Sequence, residues 1–340
     1  MKSIFRDYPL KSYNTFNIEA SSKYFITCGN IKELREILDS QIVEEHPLLV
    51  LGGGSNVLFM GDYQGVVIYP ELKGKKIIQE NSNKVRIKVG CGEDWDSFVE
   101  YCVENGYGGI ENLSGIPGRV GAVPIQNIGA YGVEAQESIV SVESLEIESG
   151  QKVNFKREEC QFGYRDSIFK HHYKNKYIIT SVIFELSKNP DLVMNYGDLQ
   201  ERITNQAEKN LKTVRDIILQ VRNEKLPAPE KLGNAGSFFK NPIIEREKLE
   251  SLTETYDELP YYNLGDSQYK IPAGWLIEEC GWKEKSYGEA GVYQDQALII
   301  VNYGEASGKE IYGLSQKIKK DVQNKFGIEL EREVKVVTSN

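Results

Sequence analysis

Residues 107–134 place the tightest limit on how this chain can fold. The run Tyr-Gly-Gly-Ile-Glu-Asn-Leu-Ser-Gly-Ile-Pro-Gly-Arg-Val-Gly-Ala-Val-Pro-Ile-Gln-Asn-Ile-Gly-Ala-Tyr-Gly-Val-Glu holds seven glycines and two prolines. That density of flexible and N–H-less positions excludes a regular helix or a long strand. Long irregular stretches inside compact domains are functional or disordered. Here Ile116, Val120, Val123, Ile125 and Ile128 give the stretch apolar anchors, which argues for ordered loops. Across residues 114–132 a binding cradle is a better account than a glycine-rich crossover packed between sheets.

The flanking sequence has ordinary periodicity. Asn30 and Glu33 form a capping pair before Ile31, Leu34, Ile37 and Leu38, one apolar face of a helix. A short strand from Pro47 to Leu51 follows, then another at 66–69, and Val85, Ile87 and Val89 alternate as a half-buried strand. Trp95, Phe98, Val99, Cys102 and Val103 line a helix that stops near Gly106. A hairpin is expected at 140–147 and 152–155, a strand at 177–186, and a helix from Thr213 ended by Pro227 and Pro229, which mark a domain boundary. Beyond it the pattern predicts a helix at 273–280, a buried strand from Ala297 to Val301, a helix opened by Ser307 and Glu310, and a final strand at 328–337. Strands outnumber helices in the middle third, so the fold class is α+β rather than a regular βαβ succession.

Composition removes several functional classes. The net charge is −9 with no basic block, against a nucleic-acid partner. An anionic ligand would therefore need a local positive field. The cysteines at 28, 91, 102, 160 and 280 form no CxxC pair, and only His46, His171 and His172 could complete a metal set. A zinc site and a disulfide framework are both disfavoured, and reduced thiols point to the cytoplasm. No stretch approaches the ~20 apolar residues of a membrane span. Arg6 and Asp7 stand where a signal peptide needs an apolar run.

Four constellations carry chemistry. Gly52-Gly53-Gly54-Ser55-Asn56 follows an apolar strand, and consecutive glycines let backbone N–H groups converge on a phosphate. The spacing is not G-x-G-x-x-G and no helix follows, so a Rossmann turn fits poorly, with a tight hairpin loop the plain alternative. Together with 114–132 it suits the pyrophosphate and ring of a dinucleotide. Asn234-Ala-Gly-Ser-Phe-Phe-Lys-Asn-Pro242 presents one hydroxyl, Ser237, among a glycine, two aromatics and a lysine. It could give up a proton or merely support a turn. Tyr164-Arg165-Asp166-Ser167 offers a guanidinium able to fork onto a carboxylate, with Arg222, Lys225 and Lys240 as further cations. In the last strand, alternation puts Glu329, Glu331 and Glu333 on one face, ordinarily a wet one.

These residues, in this order, resemble the UDP-N-acetylenolpyruvoylglucosamine reductases of peptidoglycan precursor synthesis. The resemblance runs nearly end to end. It includes Tyr13-Asn14-Thr15-Phe16, the segment 52–59, Ile116-Pro117-Gly118, residues 124–132, Gly163 to Ser167, Lys225-Leu226-Pro227, residues 233–242, Ala273 to Ile277, and Leu330 to Val334. Tyr196-Gly197-Asp198-Leu199 is similar to the substrate-capping tyrosine loop of one subclass. The resemblance implies an FAD-binding fold of the vanillyl-alcohol-oxidase kind, with lobes at 1–72 and 73–221, the strand 327–340 returning to the second lobe, and a substrate domain at 222–326. It implies non-covalent FAD held by Gly52, Gly53, Gly54, Ser55, Asn56 and Val57 in the first loop. In the second loop the contacts are Ile116, Pro117, Gly118, Gly121, Gln126, Asn127, Gly129, Ala130 and Tyr131. NADPH is the implied co-substrate, and UDP-N-acetylglucosamine enolpyruvate the acceptor. Ser237 is implied as proton donor, Arg165 and Glu333 as the groups that polarise the substrate carboxylate. Tyr196, Arg222, Lys225, Asn241 and Gln296 are implied as substrate contacts. No metal is implied, and the expected partners are small molecules bound by a monomer. Arg119 and Val123, inside the flavin loop, and Lys335 depart from the family pattern. The competing readings are another FAD oxidoreductase on this fold and a non-catalytic nucleotide-sugar binder.

Overall fold

Local chemistry fixes the helix ends. In the computed structural model, which describes residues 2–338 except 195, 196, 198, 205 and 207, the Asn30 side chain accepts the Glu33 N–H at 2.9 Å and Glu33 accepts the Gly29 N–H at 2.9 Å. Helix Ile31–Leu38 therefore begins at its capping pair and buries Leu34, Ile37 and Leu38. The reciprocal Ser307–Glu310 box opens Gly308–Phe326, and Gly327, at φ +64°, closes it.

Three sheeted regions result. The first is a four-stranded sheet in the order Ser3–Pro9, Ser21–Cys28, Tyr63–Pro70, Leu48–Val50, antiparallel at its first pairing and parallel at the others. The second is antiparallel, in the order Lys152–Lys156, Ile139–Glu146, Tyr177–Ser187, Lys84–Gly90, Lys75–Glu80. Helix Trp95–Glu104 buries Trp95, Phe98, Val99 and Cys102 in the core of this region. The Trp95 indole N–H donates to Leu113 O at 3.0 Å, anchoring the start of the glycine-rich run. The third region holds a four-stranded sheet ordered Gly233–Ser237, Ile299–Asn302, Ala290–Val292, Ser286–Tyr287, and a three-stranded one ordered Ile243–Glu245, Gln268–Lys270, Tyr262–Gly265. Its core is continuous with that of the first: Phe16, Phe25 and Leu58 belong to one apolar cluster with Phe238, Ile311 and Phe326.

Two expectations about the last segment need correction. Lys335–Val337 pairs in parallel with Val57–Phe59, within 1–72, as a separate two-stranded sheet, not with a strand of 73–221. The stretch 328–337 is also not one strand: Arg332 makes an isolated bridge to Phe239, and regular pairing begins only at Lys335. The reason is packing. Leu330 and Val334 are both buried, four residues apart, while Arg332 turns out to bond Gln316 on the neighbouring helix at 2.7 Å.

Helix Leu211–Lys225, capped by Asn210, buries Val214, Ile217, Ile218 and Val221 as the periodicity requires, but also Arg215. Arg215 forks onto both oxygens of Asp96, at 2.6 and 2.9 Å, tying this helix to Trp95–Glu104. Burial alone would raise the Asp96 carboxyl; bonds from Arg215 and the Gly115 N–H outweigh it and hold the group below its ordinary range. A depressed folded-state value means stability present above the unfolded value and lost as pH falls through the folded one. Arg215→Ala is expected to cost about 1–3 kcal/mol at neutral pH, because a half-buried carboxylate loses its partner. The same variant should lose less stability than wild type on acidification, which urea midpoints at neutral and acid pH will show. Equal acid sensitivity in the two proteins would remove this pair from the acid limb.

Among the described residues no helix is long and apolar enough to cross a membrane, and no cluster of three His, Cys, Asp or Glu side chains could hold a metal. All five cysteines are free thiols.

Candidate active site

The two glycine loops meet backbone to backbone. A Cβ on Gly53 would lie 2.7 Å from the Gly118 Cα, and one on Gly54 would lie 1.9 Å from Tyr13 O. Gly54 also has φ +67° and Gly118 has φ +129°, so glycine is required here by both space and conformation. Side chains staple the contact: Ser55 Oγ donates to Pro117 O at 2.9 Å, and Asn56 Nδ2 reaches Gln126 Oε1 at 2.5 Å and Glu333 O at 3.2 Å. The backbone N–H groups of residues 52–56 donate to no protein acceptor among the described residues. Five successive unbonded N–H groups on a glycine-rich turn are available to an anion. Their dipoles fit the pyrophosphate of FAD without a lysine or arginine in the loop.

Beside this cradle lies a cleft of about 380 Å³. It is lined by Ser55, Asn56, Ile116, Pro117, Gln126, Ile128, Gly129 and Ala130 together with Arg222, Leu226, Ala235 and Gly236. Apolar faces flanked by free backbone donors suit a planar heteroaromatic ring. Of the expected cofactor contacts, Gly52, Gly53, Gly54 and Gly118 belong to the loop junction rather than the cleft lining, and four more lie outside both. Asn127 is fully buried, and its side chain is used within the protein: Nδ2 donates to Gly163 O and Glu134 Oε2 at 2.9 and 2.8 Å, and Oδ1 accepts the Gln136 N–H. Gly121 N–H donates to Cys91 O at 3.0 Å. Val57 lies in the pairing with Lys335. Tyr131 gives its carbonyl to Asn112 and its hydroxyl to Arg222.

The proposed proton-transfer groups converge at the end of the cleft. Gly163 and Asp166 exchange two backbone bonds of 3.1 Å, and Arg165, inside this tight turn, has φ +53°. Its guanidinium bonds Gly129 O through Nη2, and Nε lies 3.4 Å from Glu333 Oε1. Backbone pairing of Glu333 N–H with Phe238 O, and of Lys240 N–H with Glu331 O, both at 2.9 Å, brings Glu333 alongside Ser237. A bulge at Ala235 and Gly236 interrupts the register between Asn234 and Ser237 and turns Ser237 outward. The Ser237 hydroxyl is exposed in the cleft wall and bonds no protein group among the described residues. Burial raises the Glu333 carboxyl above its ordinary range, although Arg165, Lys170 and Lys240 oppose the shift. The alternation that grouped Glu331 with Glu333 fails here. The Glu331 side chain is 70% exposed and pairs with Lys240 at 2.6 Å, whereas Glu333 is 14% exposed.

The expected substrate contacts are more scattered. Tyr196 lies outside the described residues. Arg222 lines the cleft and donates to Gly115 O at 3.1 Å, with burial pressing its pKa down. Lys225, at the exposed end of the same helix, is not on the cleft wall. Asn241 caps helix Ala273–Glu279 by accepting the Ala273 N–H at 2.9 Å, and Gln296 Oε1 lies 2.8 Å from where a Gly274 Cβ would be. Both amides sit at that helix's first turn, away from the cleft wall. Arg119 turns away too: its guanidinium lies 3.9 Å over the Tyr69 ring and donates to Pro70 O at 3.0 Å. Val123 is core. Sequence reading passed over Lys270, whose ammonium lies 5.1 Å over the Tyr164 ring and 5.6 Å over Tyr262. Only the register that pairs Lys270 with both Ile243 and Tyr262 reveals that position.

A two-lobed α+β architecture with a glycine-lined dinucleotide cradle defines a flavoprotein, and the FAD binding domain model matches residues 22–155. The model for the C-terminal domain of UDP-N-acetylenolpyruvoylglucosamine reductase matches residues 228–337. The UDP-N-acetylenolpyruvoylglucosamine reductase of Flavobacterium johnsoniae is 44% identical over 97% of this chain and 98% of its own. That of Bacteroides fragilis is 43% identical over 97% and 99%. The crystal structure of the Thermus caldophilus enzyme shares the fold, with TM-score 0.68 at 23% identity over 99% of this chain and 98% of that one. The chain belongs to the UDP-N-acetylenolpyruvoylglucosamine reductase family.

Proposed function

We propose that this protein reduces UDP-N-acetylglucosamine enolpyruvate to UDP-N-acetylmuramate with NADPH, in peptidoglycan precursor synthesis. The observation that carries the reading is the free Ser237 hydroxyl beside the Arg165–Glu333 pair, at the end of a cleft built from the FAD cradle. When bound, FAD supplies the hydride chemistry, recharged by NADPH. The residues supply the rest. Hydride addition at the terminal methylene carbon drives negative charge onto the neighbouring carbon and its carboxylate, which Arg165 is placed to neutralise. Burial raises the Glu333 carboxyl against the opposing pull of Arg165, Lys170 and Lys240, which favours the protonated form that can donate a hydrogen bond to the same carboxylate. Ser237 delivers its proton to the carbon next to the carboxylate, completing addition across the double bond. Arg222, at the cleft wall, adds local positive charge for the diphosphate, and Tyr196, Lys225, Asn241 and Gln296 are assigned to the sugar nucleotide. A monomer acting on small molecules is part of the same proposal, and the free thiols support a cytoplasmic setting.

Anaerobic mixing tests this directly. NADPH should bleach the flavin, and the enolpyruvyl sugar alone should restore it. Bleaching without recovery would mean a flavoenzyme with another acceptor, and a protein that takes up no flavin would overturn the reading. Arg165→Lys should slow recovery by roughly 10²–10³-fold, since a point charge cannot reproduce the fork. Wild-type recovery in that variant would remove Arg165 from the mechanism.

A further inference from the structure

Behind the guanidinium sits a second cation. Lys170 ends the short 3-10 turn Ile168–Lys170, and its ammonium donates to the carbonyl of Arg165 at 2.9 Å. That carbonyl belongs to a non-glycine residue in the left-handed region, which costs on the order of 1 kcal/mol and persists only where neighbours impose it. Two side chains do so. Asn127 holds Gly163 O on one flank of the turn, and Lys170 holds Arg165 O on the other.

Lys170 is also a source of charge. Glu333 is faced by Arg165 from the 163–166 turn, by Lys170 from the following turn, by Lys240 after strand Gly233–Ser237, and by Glu331 on its own segment. Tyr164 responds in turn to Glu333. Lys240 is paired with Glu331 at 2.6 Å, which offsets much of its field. Lys170 makes no ion pair within 4.0 Å among the described residues, with Asp166 and Glu331 acting only at longer range.

We propose that Lys170 is a positioning residue of this active site, which aims the Arg165 guanidinium through its carbonyl and supplies positive charge to Glu333. The assignment to catalysis rests on the reductase reading given above; the assignment to Glu333 does not.

Holoenzymes bearing Lys170→Met, Lys170→Gln and Lys170→Arg separate the roles. In Lys170→Met, bleaching by NADPH should stay within about twofold of wild type, while recovery with the enolpyruvyl sugar slows by roughly tenfold to a hundredfold through misplacement of the guanidinium. Lys170→Arg restores donor and charge and should recover most of the rate. Lys170→Gln keeps a donor but removes the charge. Loss of a cation favours the neutral carboxyl, so the alkaline fall of the recovery rate should move to higher pH. Carbon-13 NMR of the Glu333 carboxyl, with Glu333→Gln as the blank, should show the same upward movement without any substrate. An unmoved carboxyl titration in Lys170→Gln overturns the proposal, even if another acceptor proves to be the substrate. Equal slowing of both half-reactions in Lys170→Met overturns the positioning role.

Discussion

A Ser237→Ala enzyme is expected to bleach with NADPH as fast as wild type and then to recover roughly 10²–10⁴-fold more slowly when the enolpyruvyl sugar is added. The asymmetry follows from placement. Ser237 reaches the cleft on the far side of a bulge, its hydroxyl bonds no protein group among the described residues, and its backbone pairs with Ile299. Its removal therefore leaves the fold and the cradle intact and takes away one proton donor. Reduction by NADPH needs no such proton, whereas addition to the enolpyruvyl double bond cannot finish without it. Stopped-flow traces at the flavin band read the two steps separately. Parallel slowing of both would show that Ser237 shapes the cleft for every ligand and is not the donor. Ser237→Cys offers a check, since a thiol in the same place can still release a proton and should regain part of the rate.

Gly54→Ala should do the larger structural damage. The new Cβ would lie 1.9 Å from Tyr13 O, a backbone atom with nowhere to go, and the residue sits at φ +67°. The conformational part costs about 1 kcal/mol. Relief of the clash must pull the cradle from the Tyr13–Asn14 turn, so the total is expected at about 3 kcal/mol or more. Thr15 N–H, which donates to Gly54 O at 3.2 Å, would be displaced with it. The readouts are the flavin-to-protein ratio after gel filtration and the thermal midpoint. Gly74→Ala is the control, because that position has φ +124° with nothing within 4 Å of a built Cβ. It should lose some stability and keep its flavin. Stoichiometric flavin in Gly54→Ala would refute the cradle as the phosphate site.

Sequence legibility followed the range of the interactions. Capping pairs such as Asn30 with Glu33 and Ser307 with Glu310 are local, and both open their helices at the expected residue. The apolar stripe from Val214 to Val221 was readable for the same reason. The glycine loops and the Ser237, Arg165 and Glu333 motifs were visible as unusual residue combinations. Their convergence was not, because it depends on pairings distant in sequence, from 62 positions apart for Ser55 and Pro117 to 277 for Asn56 and Glu333. Ser3–Pro9 escaped notice since its residues are half-buried or exposed, leaving no alternation to read. Strict alternation likewise misled at Glu331 and Glu333, where the chain stops being a strand. Asn127 illustrates a different limit. An amide in a cofactor loop suggests a ligand contact, yet this one is fully committed to protein partners, one of which fixes the turn bearing Arg165.

The parallel pairing of Lys335–Val337 with Val57–Phe59 has a bearing on biosynthesis. Phe59 leads straight back into the cradle, and Asn56 reaches across to the Glu333 carbonyl. A ribosome delivers the cradle long before the strand that braces it, since Asn56 and Glu333 are 277 positions apart. The nascent chain can assemble its antiparallel middle sheet while still attached, but it cannot finish the pocket until residue 337 has left the exit tunnel. A chain lacking 335–337 is therefore expected to hold flavin poorly and to lose its colour.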